Sequence, residues 1–259
     1  LPWYYSPFSV LVDKEVVSSE FEIENLSTNY GFNEQDLIPS GMPRYDYLDK
    51  NTTPKRWVLF APSWRSYLTG SIVSGSSARI GNANNLQKSN YFKNIQDFIN
   101  NSELNDVLEK YNVELHLKLH PEFYCTYSDV DWISSSNVKL ADNKVDITEY
   151  AAFMTDFSSF VFDYAPLFRP IMYFVPDYVE FKAGLNRYRE LDLPFEKAFG
   201  RLATTPEEAV KNIIHVIKND FKTEEIYKKR MSEFYLDNIN CCEGIYNYLI
   251  QNDEKKTEK

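Results

Sequence analysis

His120, the adjacent hydroxyls Ser158 and Ser159, Asp163, and the cations Arg44 and Arg65 are the side chains of this sequence best suited to chemistry. Ser158 and Ser159 follow Thr155-Asp156-Phe157 where a helix begins, so their hydroxyls and the first backbone N–H groups converge as an anion site that needs no metal. The alternative is that Ser158 is only an N-cap and Asp163 only a solvated helical acid. Asp163 lies about one turn beyond the serines, within reach of a ligand hydroxyl or base. His120 follows an alternating run and precedes Pro121; its imidazole suits donation to a phosphoryl oxygen or action as a base. His116 reads as a satisfied core histidine and His215 as a surface one. Arg44 and Arg65 follow turn or strand-end residues, and a guanidinium there pairs with phosphate or holds a structural carboxylate, Asp46 being an obvious mate.

Other chemistries lack their residues. There is no HExxH, paired thiol or His/Asp cluster for a metal, no GxGxxG or GxxxxGK[ST] for a dinucleotide or ordinary P-loop, and no GxSxG elbow. Three cysteines, Cys125 alone and Cys241 beside Cys242, form no disulfide framework and point to a reducing compartment. The net charge of −10 over 259 residues repels nucleic acid and anionic lipid over most of the surface. No run is apolar and long enough to span a membrane, and the first residue is Leu1 rather than Met, as expected of a processed product or an excerpt from a longer chain.

The elements that must position these groups alternate. Strands are expected at Trp57–Ala61, Val113–Leu119, Asn137–Leu140, Phe153–Thr155 and Pro170–Val175. Helices are expected over Asp13–Asn29, in two pieces broken near Asn100-Asn101, over Asp146–Phe153, from Thr204-Thr205-Pro206 onward, and from about Thr223 to Tyr248. Residues 66–90, rich in Ser, Gly and Asn, read as a long loop. Strands separated by helices imply α/β architecture: a Rossmann-like, mainly parallel sheet flanked by helices, of about five or six strands. The expected division is a cap segment at 1–56 carrying the Gly41-Met-Pro-Arg-Tyr-Asp46 loop, a Rossmann-like domain at 57–220, and a terminal helix with charged tail at 221–259. In such sheets ligands bind beyond the strands' carboxyl ends, which is where His120, Asp156-Phe-Ser-Ser159 and Arg65 stand.

Five stretches in register resemble the CDP-glycerol glycerophosphotransferase family of teichoic acid primases and polymerases: Ser40-Gly-Met-Pro-Arg-Tyr-Asp-Tyr-Leu48, Val58-Leu-Phe-Ala-Pro-Ser-Trp-Arg65, Leu117-Lys-Leu-His-Pro121, Thr155-Asp-Phe-Ser-Ser-Phe-Val-Phe-Asp-Tyr164 and Arg169-Pro-Ile-Met-Tyr-Phe174. The resemblance implies the carboxyl-terminal, donor-binding half of a GT-B-like architecture. It implies CDP-glycerol, or CDP-ribitol, as donor, with no further cofactor. Carried across by motif, Arg44, Arg65 and His120 surround the donor phosphates, Ser158 and Ser159 address the same groups, Asp163 holds a donor hydroxyl, and Gly200 matches a glycine of the loop closing near the nucleotide. His120 and Asp163 are the catalytic candidates.

The same resemblance implies a lipid-linked polymer acceptor, bound through an amino-terminal half missing from this sequence, and a peripheral place on the cytoplasmic side of the bacterial cell membrane. The stretch between Asp146 and Asp156 is about one helical turn shorter than the family's, and Ala183-Gly-Leu-Asn-Arg-Tyr188 replaces an Arg-Gly-Phe-Tyr run, which leaves the polyol open. A GT-B glycosyltransferase domain using a nucleotide sugar and a non-catalytic nucleotide-binding module are the alternative readings.

Overall fold

Ser19 decides where the first long helix begins, because a hydroxyl that accepts a backbone N–H starts a helix and ends whatever precedes it. The computed structural model describes residues 5–257 other than 76–78, 134, 143, 187–189 and 237–239, with side chains to 251. Helix α1 (Pro7–Val10) and strand β1 (Glu15–Val17) lead to α2 (Glu20–Asn29), whose first turn is capped by Ser19 accepting from the Glu22 N–H at 3.0 Å. The single helix expected over Asp13–Asn29 is therefore a strand and a helix. β1 is too short to show a period, and it pairs in parallel with β2 (Leu37–Pro39).

Strand β3 (Lys55–Ala61) opens the main sheet. The expected long loop at 66–90 holds instead an antiparallel ribbon, β4 (Thr69–Ile72) with β5 (Arg79–Gly81), then α3 (Ala83–Lys88). Gly81 is required there, since a Cβ would lie 2.5 Å from Thr126. Helices α4 (Asn90–Ile99) and α5 (Ser102–Lys110) break at Asn100-Asn101 as expected, with Asn101 capping the second through the Leu104 N–H. The remaining elements are β6 (Glu114–Leu117), α6 (Pro121–Thr126), β7 (Val138–Leu140), β8 (Tyr150–Thr155), α7 (Val161–Tyr164), β9 (Ile171–Phe174), α8 (Tyr178–Ala183), β10 (Gly200–Ala203), α9 (Pro206–Lys218), α10 (Glu225–Phe234) and α11 (Cys241–Thr257).

The helix expected over Asp146–Phe153 is one 3-10 turn at Ile147–Glu149, after which β8 starts early, because every residue from Tyr150 to Thr155 is buried. The helix expected from Thr223 to Tyr248 is two, α10 and α11. Arg187 and Tyr188 of the 183–188 run lie outside the described residues.

The main sheet has six parallel strands in the order β10-β9-β8-β3-β6-β7. The α/β, Rossmann-like expectation holds. One face carries the principal core: Val58, Phe60, Leu115, Leu117, Met154 and Phe174 from the sheet meet Ile95, Phe98 and Ile99 of α4 and Val210, Ile213 and Ile217 of α9. Each large side chain buried there contributes about 1.5–3 kcal/mol. The i, i+3, i+4 spacing on α4 and α9 is what turns their apolar faces to the sheet.

Residues 51–228 form one compact unit, and residues 1–50 with 229–259 form the other. Within the second of these, the carboxylate of Asp46 accepts the backbone N–H groups of Cys241 and Cys242, each at 2.7 Å, at the start of α11. Those hydrogen bonds hold its pKa below the ordinary aspartate value.

Candidate functional site

Strands β3, β6, β8 and β9 run in parallel, so their carboxyl ends lie on one edge of the sheet. Thr155, the last residue of β8, donates its hydroxyl to the carbonyl of Ala61 at 2.7 Å and locks that edge. Beyond it Asp156 is fully buried. Its carboxylate accepts the Ser63 N–H at 2.9 Å, the Ser63 hydroxyl at 2.8 Å and the Arg65 Nη1 at 2.7 Å.

Arg65 is itself 0% exposed. Its Nε and Nη2 form a fork onto Asp177 at 2.7 and 2.6 Å, and its Nη1 also reaches the Ser63 carbonyl at 2.8 Å. The rings of Tyr91 and Phe157 lie 4.4 and 4.5 Å from the guanidinium carbon. Burial opposes the charge, but the attraction of Asp156 and Asp177 outweighs it, and the pKa is raised. Arg65 was expected among the donor phosphates. The structure corrects that: it holds two structural carboxylates, neither of them Asp46, and has no surface left for a ligand.

His120 sits elsewhere on the same edge. It is the N-cap of α6, and its Nδ1 accepts the backbone N–H of Glu122 at 3.2 Å. Nδ1 is therefore the unprotonated nitrogen, and the neutral ring carries its proton on Nε2, as a donor. Burial lowers the His120 pKa, with Glu122 opposing and Lys118 reinforcing the shift. Its ring lies 6.2 Å from that of Trp64, which in turn lies under Arg79 of the β4–β5 ribbon at 4.9 Å. Arg79 closes the circle with an ion pair to Glu122 at 2.7 Å.

Lys118 was not singled out from the sequence. It is half-buried just past β6, its Nζ 6.0 Å from the ring centroid of Phe160 on the β8–α7 turn, and burial lowers its pKa. A partly desolvated ammonium two residues before a donating imidazole, at the carboxyl edge of a parallel sheet, has the chemistry to hold an anion. The available signal was the Lys-x-His spacing at a strand end, which turns both side chains to one face of an extended segment.

The Ser158 hydroxyl accepts the Phe160 N–H at 3.3 Å, and the Ser158 and Ser159 carbonyls accept from Val161 and Phe162. Ser158 thus caps the turn, and α7 is only four residues long. Ser159 is exposed on that same turn, and Asp163 is half-buried within α7. Lys118, His120, Ser158 and Ser159 belong to the loops and turns that follow β6 and β8, and Asp163 to the short α7 just beyond.

Arg44 lies on a 3-10 turn, Pro43–Tyr47, in the other unit, its guanidinium 5.5 Å from the Tyr45 ring centroid. Gly200 starts β10, paired with Ile171 at the amino end of β9, while Ala203 pairs with Phe174 at the carboxyl end. This overturns its placement in a loop closing on the nucleotide. A Cβ at 200 would lie 1.9 Å from the Ile171 carbonyl oxygen, so the glycine serves a close approach of two strands. His116 is the core histidine expected: its Nε2 meets Glu114 at 2.9 Å and its Nδ1 the Tyr150 hydroxyl at 3.0 Å. Among the described residues no three His, Cys, Asp or Glu side chains group to hold a metal ion.

The family of CDP-Glycerol:Poly(glycerophosphate) glycerophosphotransferases matches residues 9–251. The chain belongs to this family. The minor teichoic acid biosynthesis protein GgaB of Bacillus subtilis (strain 168) is 27% identical to it over 238 residues, which are 89% of this chain and 25% of GgaB. The teichoic acid poly(glycerol phosphate) polymerase of the same strain is 32% identical over 100 residues, 38% of this chain and 13% of that protein. The chain therefore spans a quarter or less of the curated relatives it matches. Among solved structures the wall teichoic acid polymerase TagF superposes with a TM-score of 0.63 at 18% identity, over 95% of this chain and 59% of that one. A TagF variant described as soaked with CDPG gives 0.59 at 20% identity, over 95% and 59%. At these identities the superpositions establish a shared fold.

Proposed function

We propose that this chain binds CDP-glycerol and provides the donor side of glycerol phosphate transfer to a hydroxyl of a teichoic-acid-like polymer. The observation that carries the reading is the Lys118–His120 pair at the carboxyl edge of the sheet, a cation and a neutral N–H donor in a half-buried place. Membership of the glycerophosphotransferase family and the names of the curated relatives support the substrate class. The acceptor oxygen attacks the phosphorus that bears glycerol, the bond to CMP breaks, and the acceptor proton leaves to a base. Charge that develops on the phosphoryl oxygens and on departing CMP is met by the Lys118 ammonium and the His120 Nε2–H. In this reading Ser159 meets the same transfer from the β8–α7 turn and Asp163 from α7, toward a donor hydroxyl.

The acceptor is lipid-linked in this reading and is met through a further half of the full protein, at the cytoplasmic face of the membrane. No helix among the described residues is long and apolar enough to cross a membrane. Titration calorimetry with CDP-glycerol, CDP-ribitol and a UDP-sugar tests the reading. CDP-glycerol binding at least ten-fold tighter than the UDP-sugar is expected, a difference of about 1.4 kcal/mol. Equal or reversed affinities would move the protein to nucleotide-sugar chemistry, and no binding of any of them to a non-catalytic role.

A further inference from the structure

Arg65 joins three of the loops that leave the carboxyl edge of the sheet. It holds its own loop after β3 through the Ser63 carbonyl, the β8 loop through Asp156 and the β9 loop through Asp177. Its flat faces meet Tyr91 and Phe157, and Phe157 immediately precedes Ser158-Ser159. Asp156 is further fixed by the N–H and hydroxyl of Ser63, and Asp177 by the Tyr67 hydroxyl at 2.6 Å. A planar fork with stacked faces sets an orientation that a lysine, a point charge with three rotatable donors, does not reproduce.

We infer that Arg65 is a positioning residue for donor binding: it fixes the Phe157–Ser159 turn against the β3 loop, and so sets the span between that turn and the Lys118–His120 edge, without touching the donor. This rests on the donor-binding reading above. Two phosphoryl groups anchored at two places feel an error in that span, whereas one phosphate bound at a single anchor does not. A diphosphate donor and a monophosphate therefore separate positioning from mere folding.

The test is calorimetry of CDP-glycerol and of CMP on the wild-type chain and on Arg65→Lys, at a temperature where near-UV circular dichroism shows both folded. Arg65→Lys is expected to weaken CDP-glycerol about ten-fold and CMP less than about two-fold. Equal loss for both ligands, or none for either, overturns the positioning role. Should Arg65→Lys fail to fold, Ser63→Ala and Tyr67→Phe carry the same comparison, with about three-fold selective loss expected and equal or absent loss again decisive against it. Lys118→Ala in the same series reports on the underlying reading. If it leaves CDP-glycerol affinity intact, the donor site is elsewhere and the role assigned to Arg65 falls with it; if it weakens binding about ten-fold or more while Arg65→Lys changes nothing, only the positioning role falls.

Discussion

The Nδ1 of His120 accepts the backbone N–H of Glu122 at 3.2 Å, so one imidazole both caps a helix and presents Nε2–H to the carboxyl edge of the sheet. Deleting the ring removes two functions at once. The cap is separable, because asparagine is also a good N-cap. His120→Asn is expected to keep the melting temperature within a few degrees while weakening CDP-glycerol about ten-fold. His120→Ala should lose the same affinity and about 1 kcal/mol of stability besides. Calorimetry and thermal melts of the two variants check this, and an unchanged affinity in both would remove His120 from the site.

Burial lowers the His120 pKa below the 6.5 of a free imidazole. For a base with a depressed folded-state pKa, the unfolded chain takes up its proton first as pH falls. The contribution to stability is therefore fully present above pH 6.5 and is lost as pH falls through the folded value. Histidine-detected NMR should give a midpoint below 6.5 for His120 with the proton on Nε2 in the neutral form. A midpoint at or above that value, or the opposite tautomer, contradicts the geometry described.

Lys118 is a cation held where burial disfavours its charge. Lys118→Met removes that charge while keeping an unbranched stem against Phe160, so the melting temperature should be unchanged or slightly raised. Donor affinity should fall about ten-fold and lose part of its salt dependence, since one phosphate-facing charge has gone. Calorimetry at two ionic strengths measures both.

Gly200 calls for a stability experiment. Alanine there would bring its Cβ to 1.9 Å from the Ile171 carbonyl, and β10 must move away from β9 to admit it. Gly200→Ala is expected to cost about 3 kcal/mol or more, read by denaturant unfolding, with CDP-glycerol affinity of the folded fraction unchanged. A selective loss of donor affinity at full stability would return Gly200 to the binding site.

Much of the fold lay open in local pattern. The alternation at Val113–Leu119, the 3.6-residue period of α4 and α9, and the Thr205-Pro206 cap each express a periodicity or a terminal hydrogen bond satisfied within a few residues. Strands β1, β2 and β10 did not show, being three or four residues long and defined by the strand each pairs with. The β4–β5 ribbon was hidden by a Ser- and Gly-rich composition that suits a loop equally well.

The same division runs through the candidate site. By itself the sequence determined which groups stand at strand ends, since a Pro after a β-run stops it where it stands: His120 before Pro121, and Ser63 and Arg65 after Pro62. Only tertiary structure decided what those groups face. Arg65 meets Asp156 and Asp177, 91 and 112 residues away, and becomes a buried clamp. Lys118, unremarkable in sequence, turns toward Phe160 at the edge where the donor is proposed to bind. Which arginine is buried and which lysine is left at the edge depends on how strands distant in the chain are ordered in the sheet, and hydrogen bonds across that order leave no trace in local spacing.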